Sequence, residues 1–455
     1  MKKLAELFFL FSVCLLVASC SKKATIYGTT DKKQDISLYA FHRGNVDFLQ
    51  TMQLDSVTQT FQLSLELPYE GLYLLGSDIQ TLHPVYLKGG ENLCLEFEKN
   101  RISLVGEASE ENEFLFHWEK QIEEVKIHSF LYNFLYREYS VGYKEFFKEL
   151  ENAAVVRDEL LKKLENKDGE FYSLLKNKIK ADLDFYALSY LKNSNHQIPD
   201  SVSLSEYYQH LYLDTEFDEL DILELPYAGK MLEAYVWYKN KDKGIASDRM
   251  IESALGILKK KDIQQEYLLS VASQFKFYDE YQSLLEQVES DFFEGNYFSR
   301  LKAIEDKLSW SAPGLKAPDF KAMRPDSTWI SLSDYEGKVV VVDVWATWCE
   351  PCKRMMPLFH KLEQELSNKN IAFINVCVGT WVESDLWKKM AKEFQVENNT
   401  SFVNGWKSDF VKDYRISGVP RYMIFDEEGR IVSVKAPNPL KPELKELILK
   451  TLKKE

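Results

Sequence analysis

Cysteine is scarce, with six in 455 residues. Only Cys349 and Cys352 stand at a motif spacing, and no second Cys-x-x-Cys follows to complete a four-ligand zinc site. Cys94, Cys377 and His360 show no ligand spacing, so neither a metal nor a cofactor is expected. Lys353, not a histidine, follows Cys352, which removes covalent haem attachment. His42 and His83 stand alone and read as surface or packing residues. Positive charge is in deficit: the formal net charge is −14, which argues against nucleic acid as a partner. No apolar run beyond the N-terminus is long enough to cross a membrane, and no fixed repeat period supports a solenoid.

The length predicts roughly three domains, and a hydrophobic content of 45% is enough for real cores. Basic and acidic residues nearly balance from Ser311 onward, so the acidic excess lies upstream, read as solvated helix faces. At the start, Lys2 and Lys3 precede an apolar run from Leu7 to Ala18, the pattern of a secretory signal. Val17-Ala18-Ser19-Cys20 resembles a bacterial lipobox. That resemblance implies that residues 1–19 are removed and that Cys20 carries lipid, anchoring the protein to a membrane.

Three regions follow. Residues 20–108 read as β: short strands are predicted at 36–41, 48–54, 60–65, 71–76, 85–87, 93–97 and 102–105, spaced as in a small sandwich or barrel. This part is similar in architecture to the β-domain fused to redox lipoproteins of the Bacteroides group. Residues 109–310 read as an all-α domain, with Leu115, Trp118, Ile122 and Val125, then Leu175, Ile179, Leu183, Tyr186 and Tyr190, at helical spacing. Its dense aromatics, such as Tyr207-Tyr208 and Tyr235-Val236-Trp237-Tyr238, read as helix packing, with a peptide-binding groove as the alternative. Residues 311–455 read as α/β: strands at 329–332, 339–342 and 371–378, a crossover helix at 383–394, a hairpin at 422–434 and a closing helix at 440–452.

The chemistry gathers where the β-branched run Val339 to Val342 leads into Trp348-Cys349-Glu350-Pro351-Cys352. Pro351 sits where a helix begins. The free amides and positive dipole end of a helix start favour a thiolate, the nucleophile of thiol–disulfide exchange. Cys349 is expected to be the more exposed sulfur and Cys352 the shielded one. A purely structural disulfide is the plainer alternative.

These residues closely resemble the thioredoxin superfamily. Asp343 matches its buried acid, Pro357 its helix kink, and Gly418-Val419-Pro420 its cis-proline segment. The Cys-Glu-Pro-Cys motif resembles the extracytoplasmic TlpA/ResA-type reductases. The resemblance implies that Cys349 is the nucleophile, Cys352 the resolving thiol and Asp343 its proton acceptor. Pro420 would follow a cis bond and present the Val419 backbone to an extended substrate. Trp348, Glu350 and Pro351 would flank the disulfide. The family's further acid, three residues after the second cysteine, is Met355 here, so Asp343 must serve alone. The expected function is a lipid-anchored disulfide reductase of the cell envelope, acting on disulfide-bearing envelope proteins and rereduced by a membrane thiol-transfer partner. The alternatives are a thiol peroxidase, whose PxxxTxxC context Thr347-Trp348-Cys349 does not reproduce, and a peptide- or glycan-binding lipoprotein with a subsidiary redox module.

Overall fold

The computed structural model describes residues 23–31, 35–42, 45–76, 82–98, 101–130, 141–193, 203–215, 221–246, 249–396 and 399–453. The signal segment and Cys20 lie outside them. The chain divides between Ser270 and Val271 into two compact units. Among the described residues no helix is long and apolar enough to cross a membrane.

Among the described residues the first unit begins with nine strands: β1 (Lys23–Thr30), β2 (Ile36–His42), β3 (Asn45–Met52), β4 (Leu54–Asp55), β5 (Thr60–Glu66), β6 (Gly71–Gly76), β7 (His83–Leu87), β8 (Asn92–Glu98) and β9 (Arg101–Leu104). They form two sheets, ordered β4-β5-β1-β8-β9 and β3-β2-β6-β7. Alternate residues of both sheets, among them Ile26, Leu38, Tyr73, Leu75, Leu93 and Leu95, enclose one core. Cys94 points away from that core, between buried Leu93 and Leu95. Strand β1 was not predicted, because Thr25, Gly28, Thr29 and Thr30 dilute its apolar signal. Yet it lies at the centre of its sheet, antiparallel to β5 and parallel to β8.

The helices of this unit are not a separate all-α domain. Helix α1 (Glu110–Gln121) starts at Ser109, whose hydroxyl accepts the Asn112 N–H. The Asn112 amide then accepts the Tyr86 N–H at 2.9 Å and donates to the Tyr86 carbonyl at 2.7 Å. This pairing welds α1 to β7, so strands and helices share one unit. The expected division at residue 108 is therefore not a boundary between compact units. Helices α2 (Glu123–Phe130), α3 (Tyr143–Leu164), α4 (Glu170–Asn193), α5 (Ala228–Asn240), α6 (Met250–Ile257) and α7 (Lys261–Ala272) follow. Helix α4 is buried on every side from Ala181 to Leu191, as the innermost helix of a bundle must be. Tyr207, Tyr208 and Tyr235 are buried, and the Tyr207 hydroxyl donates to Asp184 at 2.6 Å. These aromatics are packing residues.

The second unit holds α8 (Tyr278–Leu285) and α9 (Gly295–Leu308), which the sequence had grouped with the helices before residue 310. Phe277, just before α8, is buried in the core of this unit beside Phe320 and Met423. Asp279 and Glu280 bond to Ser433 and Lys435. The remaining strands are β10 (Lys321–Met323), β11 (Trp329–Ser331), β12 (Val339–Trp345), β13 (Ile371–Gly379), β14 (Thr400–Asn404), β15 (Arg421–Phe425) and β16 (Ile431–Ala436). They form one seven-stranded sheet, ordered β11-β10-β14-β13-β12-β15-β16. Strands β12, β13 and β14 are parallel, and β15–β16 is the antiparallel hairpin. Helices α10 (Glu350–Glu365), α11 (Ser384–Glu393) and α13 (Pro442–Thr451) pack on the face bearing Val341, Phe373, Cys377 and Ile424. Helix α12 (Asp409–Asp413) packs on the opposite face, over Val342, Val376 and Met423.

Candidate active site

Every residue of β12 from Val339 to Trp345 is buried, the pattern of a strand covered on both faces. The chain leaves it through Ala346 and Thr347 and enters α10 with Cys349 as the N-cap. Cys349 and Cys352 are joined as a disulfide. The Cys352 backbone N–H points at the Cys349 Sγ at 3.2 Å, so this sulfur sits where the free donors of the helix start converge. Pro351 occupies the first turn and Pro357 lies within the helix.

The two cysteines are both buried and differ only slightly in exposure, in the expected order. Cys349 is 2% exposed and Cys352 is fully buried. Cys349 lies in an apolar cluster with Trp345, Met356, Cys377, Trp387 and Phe402. Trp348 points the other way. It is 58% exposed, and its ring lies 6.2 Å from that of Trp406. Glu350 is exposed and bonded to Lys353 at 2.6 Å, and Lys353 holds its carboxyl below the usual range.

The Val419–Pro420 peptide is cis. Val419 packs against the cluster that contains both cysteines. Pro420 runs directly into β15, the neighbour of β12 on the side away from β13. Cys349, Cys352, Pro351 and Val419 are thus brought together, with Trp348 and Glu350 on the outer rim.

Asp343 lies beneath, on the face of β12 that α10 covers. It is 1% exposed, and neither carboxylate oxygen has a hydrogen-bond partner among the described residues. Burial pushes its pKa up to about 8. Asn375 on β13 and Tyr422 on β15 stand directly opposite it, and among the described residues their side-chain polar atoms also have no hydrogen-bond partner. Met355 is partly buried against the core under α10, so an acid is missing at that position.

Sequence reasoning passed over Thr347, Asn375, Glu383, Trp381, Trp406 and Tyr422. Glu383 accepts hydrogen bonds from the Thr347 hydroxyl at 3.1 Å, and from the Thr380 N–H and hydroxyl at 2.6 and 2.9 Å. It braces the loop before Cys349 against the loop after β13. The readable signal was a tryptophan shortly after each strand. The pairing of Asp343 with Asn375 and Tyr422 depends on register and has no local signal. Among the described residues, no group of three His, Cys, Asp or Glu side chains could hold a metal ion.

Residues 312–448 match the Redoxin family. The chain is 29% identical over 134 residues to the thioredoxin-like protein YneN of Bacillus subtilis, covering 29% of this chain and 76% of YneN. It is 32% identical over 143 residues to the thiol-disulfide oxidoreductase ResA of Oceanobacillus iheyensis, covering 30% of this chain and 71% of ResA. Among solved structures, the thioredoxin domain of a thiol-disulfide oxidoreductase from Bacteroides vulgatus is 27% identical. The match covers 31% of this chain and 98% of that one, with a TM-score of 0.28.

Proposed function

Because the chain belongs to the TlpA/ResA-type thiol-disulfide oxidoreductases of the thioredoxin superfamily, we propose that it is a membrane-anchored reductase of protein disulfides in the cell envelope. The observation that carries this reading is the Cys349–Cys352 disulfide at the start of α10, with Cys349 Sγ facing the Cys352 N–H. A thiolate formed at Cys349 is held by the same amide and the dipole end of the helix.

In the reduced protein, the Cys349 thiolate attacks one sulfur of a substrate disulfide. A mixed disulfide forms, and the other substrate sulfur leaves as a thiolate. Cys352 then gives up its proton and attacks Cys349 Sγ. The second substrate thiolate departs, and Cys349–Cys352 closes into the state seen here. Two electrons pass from the dithiol to the substrate. Asp343 accepts the Cys352 proton. With its pKa raised by burial to about 8, the carboxyl is mostly protonated at neutral pH, and its ionised fraction is the form that takes the proton. Val419, ahead of Pro420, offers backbone to an extended substrate, with Trp348, Glu350 and Pro351 as the rim. Lipid on Cys20 places the site in the envelope, and a membrane dithiol donor restores the thiols.

The test is the reduction potential of the Cys349–Cys352 pair in a dithiol/disulfide buffer. A value near about −270 mV supports a reductase, and one near about −120 mV reverses the direction to disulfide formation. Absence of any reversible two-electron couple, or full activity in Cys349→Ser, would end the redox reading.

A further inference from the structure

The parallel strands β14, β13 and β12 lie side by side. Each releases an exposed tryptophan two or three residues past its carboxyl end. Trp348 follows β12 and is 58% exposed, Trp381 follows β13 at 48%, and Trp406 follows β14 at 37%. The ends of parallel strands are where open α/β sheets bind their ligands. The bases of these loops are tied together. The Gly405 N–H donates to the Gly379 carbonyl at 2.6 Å, and Glu383 links Thr347 to Thr380. Trp381 leans on Phe402, with ring centroids 5.5 Å apart. Val382 and Leu386 add exposed apolar surface. A rigid cluster of large apolar side chains held open to water marks an interaction surface.

We propose that Trp348, Trp381 and Trp406 dock the polypeptide that exchanges its disulfide with Cys349, and select segments with a large aromatic or apolar residue near the reacting cysteine. This rests on the oxidoreductase reading of Cys349. The occupant follows from continuity. Trp348 is the residue next to Cys349, so a chain covalently joined there passes over the same strand ends. Val419 lies on the β15 side of β12, and Trp381 and Trp406 lie on the β13–β14 side. A substrate crossing from Val419 over Cys349 therefore runs onto the tryptophans. Two strand spacings are about 10 Å, or about three residues of extended chain. The preferred side chain thus stands about three residues from the substrate cysteine. A sugar is the poorer fit, because Val382 and Leu386 give it no polar partner and the Glu383 carboxylate is already held by Thr347 and Thr380.

The experiment compares three substrates of the dithiol-reduced full chain: a small disulfide, and two synthetic peptide mixed disulfides with Trp or Ala three residues from the cysteine. The aromatic peptide is expected to show about tenfold higher kcat/KM than the alanine peptide. Trp381→Ala with Trp406→Ala is expected to erase that preference and leave the small disulfide unaffected. Trp406→Phe is expected to keep most of the preference. No preference in the unaltered protein, a preference that survives the double variant, or equal loss on all three substrates would each overturn the proposal. Binding of a soluble oligosaccharide that the double variant loses, without any peptide preference, also overturns it. Failure of the unaltered protein to exchange with any disulfide counts instead against the oxidoreductase reading.

Discussion

Asp343 and Asn375 stand opposite each other on β12 and β13, both buried, and neither side chain has a hydrogen-bond partner among the described residues. A buried carboxyl with no partner is held neutral by the cost of leaving water. Its pKa rises from 3.8 to about 8 on folding. The folded state then binds more protons than the unfolded one between those values. The contribution of Asp343 is fully favourable below about pH 4 and is lost as pH rises through about 8. Asp343→Asn is therefore expected to stabilise the second unit by roughly 2–5 kcal/mol at pH 8, and much less at pH 5. Denaturant unfolding across this range is the measurement. A difference that does not change with pH would contradict the assignment.

Tyr422 carries the third unpartnered group of this row, a buried hydroxyl. Removing a polar atom that folding leaves unsatisfied relieves a desolvation cost. Tyr422→Phe is expected to be neutral or stabilising by about 1 kcal/mol. A loss of more than that in thermal unfolding would show that the hydroxyl has a partner in solution.

Glu383 closes a capping box at Thr380 and also holds Thr347. Glu383→Ala is expected to cost about 1 kcal/mol. The Thr380 amide and hydroxyl hold its carboxyl below the usual range. Its contribution is thus present above that range and lost as pH falls through the lowered pKa. The gap between the unaltered protein and Glu383→Gln should narrow on acidification toward pH 3. A gap that widens would mean that the neutral acid is the form the fold prefers.

Lys178 is buried in α4 between Asp182 at 2.7 Å and Glu119 at 2.8 Å. The two carboxylates hold its ammonium up against burial, which pulls it down. Lys178→Met would leave Asp182 without its cation and Glu119 with only Lys126, at 3.4 Å, and is expected to cost about 3–5 kcal/mol. Calorimetry of the full chain reads the loss. A cost under about 1 kcal/mol would mean that water reaches the acids.

Gly28 lies where β1 passes β8, and a Cβ there would stand 1.7 Å from the Leu95 carbonyl oxygen. The obstacle is backbone and cannot rotate away. Gly28→Ala is expected to destabilise the sandwich by about 3 kcal/mol or more. Amide exchange of residues 23–104 should accelerate, and unchanged protection would show that the strands separate without loss.

The sequence alone determined what is local. The valine run from Val339 to Val342, the proline at the start of α10 and the hairpin turn at Asp426 to Gly429 each need only their neighbours. The cysteine pair stood out by its own spacing, whereas Asp343 and Pro420 were joined to it only by the resemblance to the thioredoxin superfamily. Tertiary structure decided what depends on pairing across the chain. Strand β1 has a weak pattern and is central only because β5 and β8 flank it. Strand β14, five residues from Thr400 to Asn404, follows Asn398 and Asn399 and was not predicted; its parallel register on β13 defines it. The division after Ser270 follows from Asn112 bonding to β7 and Phe277 entering the second core, neither of which has a periodic signal. Likewise, Asn375 and Tyr422 meet Asp343, and three tryptophans share one rim, because the register of four strands places them there. A one-residue slip would turn each side chain to the opposite face.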